Sequence, residues 1–298
     1  MAEVAPCCCT VGCNRHNVSR QSVRMMDQAV RVFGDGWHAR VVDNAPGDSW
    51  AHEVMAALGG NGRRYLDILA LWFGQFPLTS KKQRAEMKRR LESLATSDHL
   101  GAVNELSWYQ LMRRGGLQAS PIPTANAPRP DFKVMAPAEF FVEVSTLNVS
   151  EAERESLLTT GGVDINHHAT LKRLFLKAAD EKDAQIAHAA SESRPCLLVL
   201  FDYTFWSSLA TDRFHFFATG LLGRQLAFAQ LPVALSAIVY VERRVLDGRI
   251  AISQRRSAIY YNPVADYPLA SGSFDLLPQF WHDIGEIQPE AQEDWIWL

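Results

Sequence analysis

The segment from Cys196 to Tyr203, CLLVLFDY, limits the fold of this chain more than any other stretch. It is a continuous apolar run that begins directly after Pro195. A strand that is apolar at nearly every position is typical of a sheet buried on both faces. The run therefore favours an α/β fold in which helices cover a central sheet.

Helices and further strands alternate around this run. The spacing of apolar residues predicts helices over 63–76, 81–95, 102–116, 168–190 and 211–229. It also predicts strands near 131–136, 139–147, 236–242, 249–253 and 257–261. We expect a mixed central sheet flanked by helices and preceded by a helical N-terminal extension. The predicted domains are a disordered cysteine-rich tail (1–18), a helical region (19–96) and an α/β domain (97–298).

Composition excludes several classes of protein. The chain has 298 residues and a formal net charge of −3, so it has no overall attraction to nucleic acid or membranes. It shows neither a secretory signal nor an apolar run long enough to span a membrane, and we expect a cytoplasmic protein. Four of its five cysteines crowd into residues 7–13, and an odd number does not suit a disulfide framework. With His16 they could bind zinc, but a reducible tail suits their spacing better.

Two carboxylates lie on neighbouring predicted strands, in the segment RPDFKVMAPAEFFVEVST. Glu143 stands on an apolar strand, on the same face as Phe141 and Ser145, where burial is costly unless the carboxylate is paired or bound to a metal. Asp131 lies on the preceding strand, and a hairpin would bring the two acids together. Close carboxylates repel unless one is protonated or a cation lies between them, and oxygen ligands of this kind suit Mg²⁺ or Mn²⁺. Glu105, on the preceding helix, could face either the sheet or solvent.

This pattern resembles the PD-(D/E)xK nuclease superfamily, which has the restriction-endonuclease-like fold. The similarity covers residues 99–203 and consists of a helix Glu before Gly-Gly, then Pro130-Asp131, then Glu143-x-Ser145 on an apolar strand. It implies that 97–298 is a nuclease-like domain in which Asp131 and Glu143 hold the metal ion. The Val144 carbonyl would be a further ligand, and Glu105 would bind a second metal or its water.

The chain departs from this family at Ser145, where the motif has a lysine. The predicted helix 168–190 offers a replacement, because Lys182 and Gln185 continue its apolar stripe and would face inward. The resemblance implies that Lys182 orients the attacking water and that Gln185 steadies it. Other interpretations stay open: Lys182 could extend to solvent, Asp131 could be a turn residue, and Glu143 could pair with Lys133. His167 and His168 are expected to cap the helix or lie on its surface.

The predicted function is hydrolysis of DNA, with RNA as the alternative, and Mg²⁺ or Mn²⁺ is the expected cofactor. Candidate phosphate-binding residues are Lys81, Lys82, Arg84, Lys88, Arg89, Arg113 and Arg114, although such a charge run is also typical of a solvated helix face. A catalytically inactive relative that binds nucleic acid or a protein is the main alternative, favoured by Ser145. An unrelated interaction protein is a third. The tryptophan-rich segment 294–298 could dock on a second subunit, giving a homodimer.

Overall fold

The computed structural model describes residues 31–123, 127–147, 176–202, 231–270, 272–281, 285–289 and 293–298. The predicted cysteine-rich tail, His167, His168 and the predicted helix 211–229 lie outside these residues. Val32–Leu298 group into one compact unit by their contacts. The proposed division between 19–96 and 97–298 stays a prediction.

The N-terminal part of this unit is helical, as predicted. Its helices are α1 (Asp35–Asn44), α2 (Trp50–Ala56), α3 (Asn61–Gln75), α4 (Lys81–Leu91) and α5 (Thr96–Arg114). Ser80 caps α4 as predicted, since its hydroxyl accepts from the Gln83 amide while the Gln83 side chain accepts from the Ser80 amide. Helix α5 ends at Gly115 and Gly116, the latter with a φ of 74°.

Eight strands form the central sheet. In chain order they are β1 (Gln118–Pro121), β2 (Phe132–Ala136), β3 (Phe140–Leu147), β4 (Cys196–Asp202), β5 (Ala237–Val241), β8 (Ala258–Tyr261), β9 (Gln279–Trp281) and β10 (Gly285–Ile287). The spatial order is β1-β2-β3-β4-β5-β8-β9-β10. Strands β3, β4 and β5 are parallel and β2 is antiparallel to β3, so the predicted mixed sheet is confirmed.

Alternating residues of the central strands enter two separate hydrophobic clusters. Val142 and Val144 join the larger cluster, which includes apolar residues of α3 and α5. Phe141 and Leu198 join the smaller one, together with Ile186 of helix α6 (Asp183–Ser191). Because side chains alternate across a strand, the sheet is covered on both faces, and the predicted α/β fold with flanking helices is confirmed.

A small second sheet is formed by β6 (Arg243–Leu246), β7 (Arg249–Ser253) and β11 (Trp295–Trp297). Asp247 and Gly248 join β6 to β7 with φ angles of 49° and 72°, the left-handed pair that a tight hairpin requires. Strand β11 pairs with β7 of the same chain, so the tryptophan-rich segment docks within the chain, and the homodimer stays a prediction. The main chain of Trp297 also accepts from Arg114 Nη1 at 2.5 Å.

The predicted helix 168–190 is described from residue 176 and is not continuous. Lys177–Glu181 form a π-helical turn, in which the Lys182 amide donates to the Lys177 carbonyl at 3.0 Å. Lys182 leaves the helical conformation, with a φ of −114°, and α6 begins at Asp183. Lys182 therefore projects from a junction between two helical segments, the kind of irregularity that frequently marks functional sites.

Candidate active site

The pairing of β2 with β3 places Asp131 beside Glu143. Phe132 lies opposite Val142, and Asp131 and Glu143 are the next residues outward from this pair. Asp131 Oδ2 accepts the Val144 amide at 2.8 Å. The Asp131 carboxylate is thus held within one peptide unit of Glu143, as the predicted hairpin required.

The Val144 carbonyl faces the same side of β3 as the Asp131 carboxylate. The N–H and C=O groups of a strand residue point to the same side, and the Val144 amide points at Asp131. The ladder between β2 and β3 ends at Phe132 and Val142, so β2 offers no partner at this level. This geometry is compatible with the Val144 carbonyl as a ligand.

Glu143 is buried and pairs with Lys182. Its side chain is 4% exposed, and its Oε1 lies 2.6 Å from Lys182 Nζ. Its Oε2 is buried and has no hydrogen-bond partner in the part of the chain that the structure describes. Lys133, the alternative partner considered from the sequence, pairs with Glu192 instead. A buried carboxylate oxygen without a donor is costly, and a bound cation would remove that cost.

Lys182 reaches the carboxylates while keeping contact with solvent, since its side chain is 20% exposed. Gln185 is half-buried one turn into α6. It makes no hydrogen bond to Glu143, Asp131 or Glu105. The structure therefore brings Lys182 into the site, whereas the role suggested for Gln185 has no contact to support it.

Burial is the main influence on the charges of these groups. It raises the pKa of Asp131 well above its ordinary value, and the nearby charges of Glu143 and Glu105 raise it further. Burial also raises the pKa of Glu143, against the opposing effect of Lys182. For Lys182, burial favours the neutral amine, but the carboxylates of Glu143 and Asp131 outweigh it and raise the pKa. Lys182 is therefore a cation at neutral pH and donates to Glu143.

Glu105 completes a carboxylate cluster, the name used below for Glu105, Asp131 and Glu143. It lies on α5 with a side chain 14% exposed, and its charge raises the pKa of both other acids. The sequence left its direction open, and the structure turns it towards the sheet end. Arg90 of α4 lies against it, with Nη1 2.6 Å from Glu105 Oε1.

Most of the predicted phosphate-binding residues have local partners. Lys88 pairs with Glu92, and Arg89 forms a two-bonded pair with Glu86. The guanidinium of Arg84 lies 5.6 Å from the Phe73 ring centre. The other four are exposed: Lys81 and Lys82 at the start of α4, and Arg113 and Arg114 at the end of α5.

Arg113 and Arg114 also have contacts within the chain. Arg113 donates to Gln75 and Gln110, both at the limit of hydrogen-bond distance, and Arg114 donates to Trp297. These contacts tie both side chains to their surroundings. Lys81 and Lys82 are the two members of the predicted set that form no hydrogen bond or ion pair with the described residues, although the charge of Lys82 helps to lower the pKa of Glu86.

Two further polar residues of the site were not singled out from the sequence. Arg90 belongs to a helix with six basic residues in its first ten, and periodicity did not distinguish the one that faces the acids. Asn104 is fully buried, and its amide donates to Thr146 Oγ1 at 2.8 Å, which ties α5 to β3. Ser145, which precedes Thr146 in β3, is 9% exposed.

The residues present fit a weakly coordinated divalent ion better than a closed metal cage. Among the described residues, no group of three or more His, Cys, Asp or Glu side chains converges closely enough to hold a metal ion. Mg²⁺, however, usually keeps several waters and binds one or two carboxylates together with substrate phosphates. Asp131 and Glu143 supply two such carboxylates. A cation at this position would offset the cost of burying Glu143 Oε2, which has no hydrogen-bond donor among the described residues.

Comparisons with known proteins leave the family open. No protein-family model matches the chain, and no curated protein matches it either. A solved structure of Pyrococcus furiosus SfsA in complex with Ca²⁺ is similar, with a TM-score of 0.20 and 13% sequence identity over 53% of this chain. The matched part spans 61% of the SfsA chain. A TM-score this low supports no inference about fold or function.

None of the described helices has the combination of length and apolar character that crossing a membrane requires.

Proposed function

We propose that this protein is a divalent-metal-dependent nuclease that hydrolyses phosphodiester bonds of DNA, with RNA as the alternative substrate. The observation that carries the proposal is the arrangement at one end of the sheet. There Asp131 and Glu143 meet across β2 and β3, and Lys182 reaches Glu143 from the following helical junction. This is the constellation that the PD-(D/E)xK resemblance implies, with the lysine supplied from a different element.

Asp131, Glu143 and the Val144 carbonyl would hold Mg²⁺ or Mn²⁺. A bound ion of this kind lowers the pKa of water and offsets charge on phosphoryl oxygens. The chain itself holds the acids in place: the Val144 amide fixes Asp131, and Lys182 fixes Glu143. Glu105 adds negative charge beside the same position, where a second ion or a bound water would lie.

Lys182 supplies the cationic donor that the motif expects at position 145. Because its pKa is raised, it remains an ammonium group and can donate to a water and to a phosphate oxygen. Donors fixed where charge develops contribute more to rate than mobile ones. In the chain as described, this donor bonds to Glu143, so its orientation is set before substrate arrives.

Substitution of the two central carboxylates tests the proposal. We expect Asp131→Asn and Glu143→Gln each to reduce Mg²⁺-dependent cleavage of a labelled DNA duplex and single strand by at least about 100- to 1,000-fold. Glu139→Gln is the matched control, because Glu139 lies next to β3 but pairs with Arg194 at the surface. Cleavage by the double variant at the wild-type rate would end the proposal.

A catalytically inactive nuclease-fold protein that binds nucleic acid or a protein partner is the second candidate. Ser145 favours it, because a serine supplies no charge at the position of the motif lysine. Calorimetric titration with Mg²⁺ and Mn²⁺ separates the two candidates. Binding in the millimolar range that is lost in Asp131→Asn supports the nuclease, whereas no heat at these concentrations supports the inactive protein.

A further inference from the structure

We propose that Arg90 is a phosphate-binding residue of the active site, held over the carboxylate cluster by Glu105. The proposal rests on the proposed nuclease function and identifies a second cation that would contact the substrate. The neighbours of Arg90 on α4, Lys88 and Arg89, pair instead with Glu92 and Glu86.

The first observation is the ion pair itself. Arg90 Nη1 lies 2.6 Å from Glu105 Oε1, and the two side chains are 26% and 14% exposed. By contrast, Arg89 binds Glu86 through two nitrogens, and both side chains are about half-exposed. Arg90 is thus the arginine of α4 whose guanidinium is drawn into the site.

The second observation is the space that α5 leaves for this guanidinium. A Cβ atom added at Gly101 would lie 2.8 Å from Arg90 Nη2, closer than real Cβ contacts come. Glycine inside an α-helix is unfavourable by about 1 kcal/mol relative to alanine, so Gly101 opposes helix stability where it stands. Because Gly101 has no side chain, the Arg90 side chain can pass across α5 one helical turn before Glu105.

The third observation is that the guanidinium keeps donors to offer. Arginine has five N–H donors in a planar fork that matches phosphate geometry. No guanidinium nitrogen of Arg90 is buried without a partner, and the side chain keeps part of its surface exposed. The exposed part of the guanidinium can therefore offer N–H groups that Glu105 does not use.

Electrostatics agrees with this placement. Burial opposes the charged form of Arg90, but the charge of Glu105 and then that of Asp131 outweigh it and raise its pKa. A phosphate that approached a cation held by Asp131 and Glu143 would thus also approach a fixed positive charge. Glu105 both orients Arg90 and offsets its charge until a phosphate binds.

The experiment compares Arg90→Gln, Arg90→Lys and Gly101→Ala with the control Arg63→Gln, because Arg63 pairs with Asp67 on the surface of α3. Each variant is assayed for Mg²⁺-dependent cleavage of a labelled 30-base-pair duplex, for duplex binding without divalent ions, and for Mg²⁺ binding by calorimetry. We expect Arg90→Gln to lower kcat/KM about 100-fold and to weaken duplex binding, with Mg²⁺ affinity unchanged or higher. Arg63→Gln should stay within about twofold on every readout, because both members of its ion pair are 66% exposed and such surface pairs contribute little energy.

Gly101→Ala tests position without removing charge. The added methyl group meets the far end of a flexible side chain, so the fold can adjust by moving the guanidinium. We expect cleavage to fall about tenfold while the midpoint of urea unfolding stays the same or rises, since alanine favours the helix. Arg90→Lys keeps the charge but loses the fork, and its kcat/KM should lie between those of wild type and Arg90→Gln.

The outcomes separate this proposal from the function on which it rests. If wild type cleaves and Arg90→Gln cleaves within threefold of it, Arg90 binds no phosphate and the nuclease proposal stands. If wild type does not cleave but binds the duplex in an Arg90-dependent way, the Arg90 proposal stands and the nuclease proposal is wrong. If wild type neither cleaves nor binds the duplex, both proposals are overturned.

Discussion

Replacing Lys182 with methionine should destabilise the protein in a pH-dependent way. The change removes the partner of a carboxylate whose side chain is 4% exposed, while keeping a long apolar stem. Left unpaired, Glu143 must either remain charged in a buried place or take up a proton. Whichever of these two states costs less free energy sets how much stability the protein loses.

The upper bound follows from the cost of protonation. An ordinary glutamate has a pKa of 4.5, and keeping it protonated at pH 7 costs about 3.5 kcal/mol at about 1.4 kcal/mol per pH unit. Burial already raises the pKa of Glu143 in the wild type, so part of this cost is present before the substitution. We therefore expect a loss of about 2 kcal/mol at pH 7, below that bound.

The sign of the pH dependence follows from the same argument. A carboxyl group whose folded-state pKa is raised stabilises the fold below its unfolded pKa, and this stabilisation is lost as pH rises through the folded pKa. Removing Lys182 raises that pKa further, so the loss grows as pH increases. At pH 5 the bound falls to about 0.7 kcal/mol, because the group is then close to its ordinary pKa.

Urea unfolding followed by tryptophan fluorescence, in EDTA at pH 5 and pH 7, measures the effect. Lys177→Met is the matched control, because Lys177 pairs with Glu181 at the same distance of 2.6 Å but the glutamate is 57% exposed. We expect the control to cost less than about 0.5 kcal/mol at either pH. An equal loss at both pH values, or one no larger than that of the control, would show that Glu143 is not a buried charge held by Lys182.

Two more outcomes are expected. Divalent-ion binding should weaken as pH falls from 8 to 5, because burial raises the pKa of Asp131 and of Glu143 and protons then compete with the ion. Calorimetry across this range measures the affinity, and an affinity that does not change with pH would contradict the prediction. Thr146→Val should cost about 1–3 kcal/mol in urea unfolding, because it leaves the buried Asn104 amide without its acceptor. Thr146→Ser keeps the hydroxyl and should retain most of the stability, whereas equal losses in both variants would mean that the bond is unimportant.

Strong periodic patterns in the sequence were enough to predict most of the architecture. The apolar run that begins at Cys196 forms β4, and the segment 63–76, whose apolar spacing predicted a helix, lies in α3. Both segments are long and bury apolar residues at regular intervals, so local pattern and tertiary packing agree. The three-residue strands β9, β10 and β11 were not predicted, because a segment that short has no period and takes its conformation from its neighbour.

The candidate site was predictable in part. The Asp131 and Glu143 positions follow from alternation along two strands, and the stripe that selected Lys182 correctly turned it inward. That stripe assumed an uninterrupted helix, whereas a π-helical turn precedes Lys182. Arg90 could not be chosen because six cations on one short helix look alike in sequence. What distinguishes it is Gly101 on another helix, a contact that only the tertiary structure reveals.

The pairing of Arg114 with the Trp297 carbonyl joins two points that are 183 residues apart. Arg114 is the last residue of α5, the helix that carries Glu105. During synthesis, that helix can pack on the early strands long before the segment that holds its end has left the ribosome. Joining two points so far apart in sequence also costs loop-closure entropy, and this cost slows formation of the contact further. We therefore expect the C-terminal end of α5 to gain this contact only after most of the other described elements have formed.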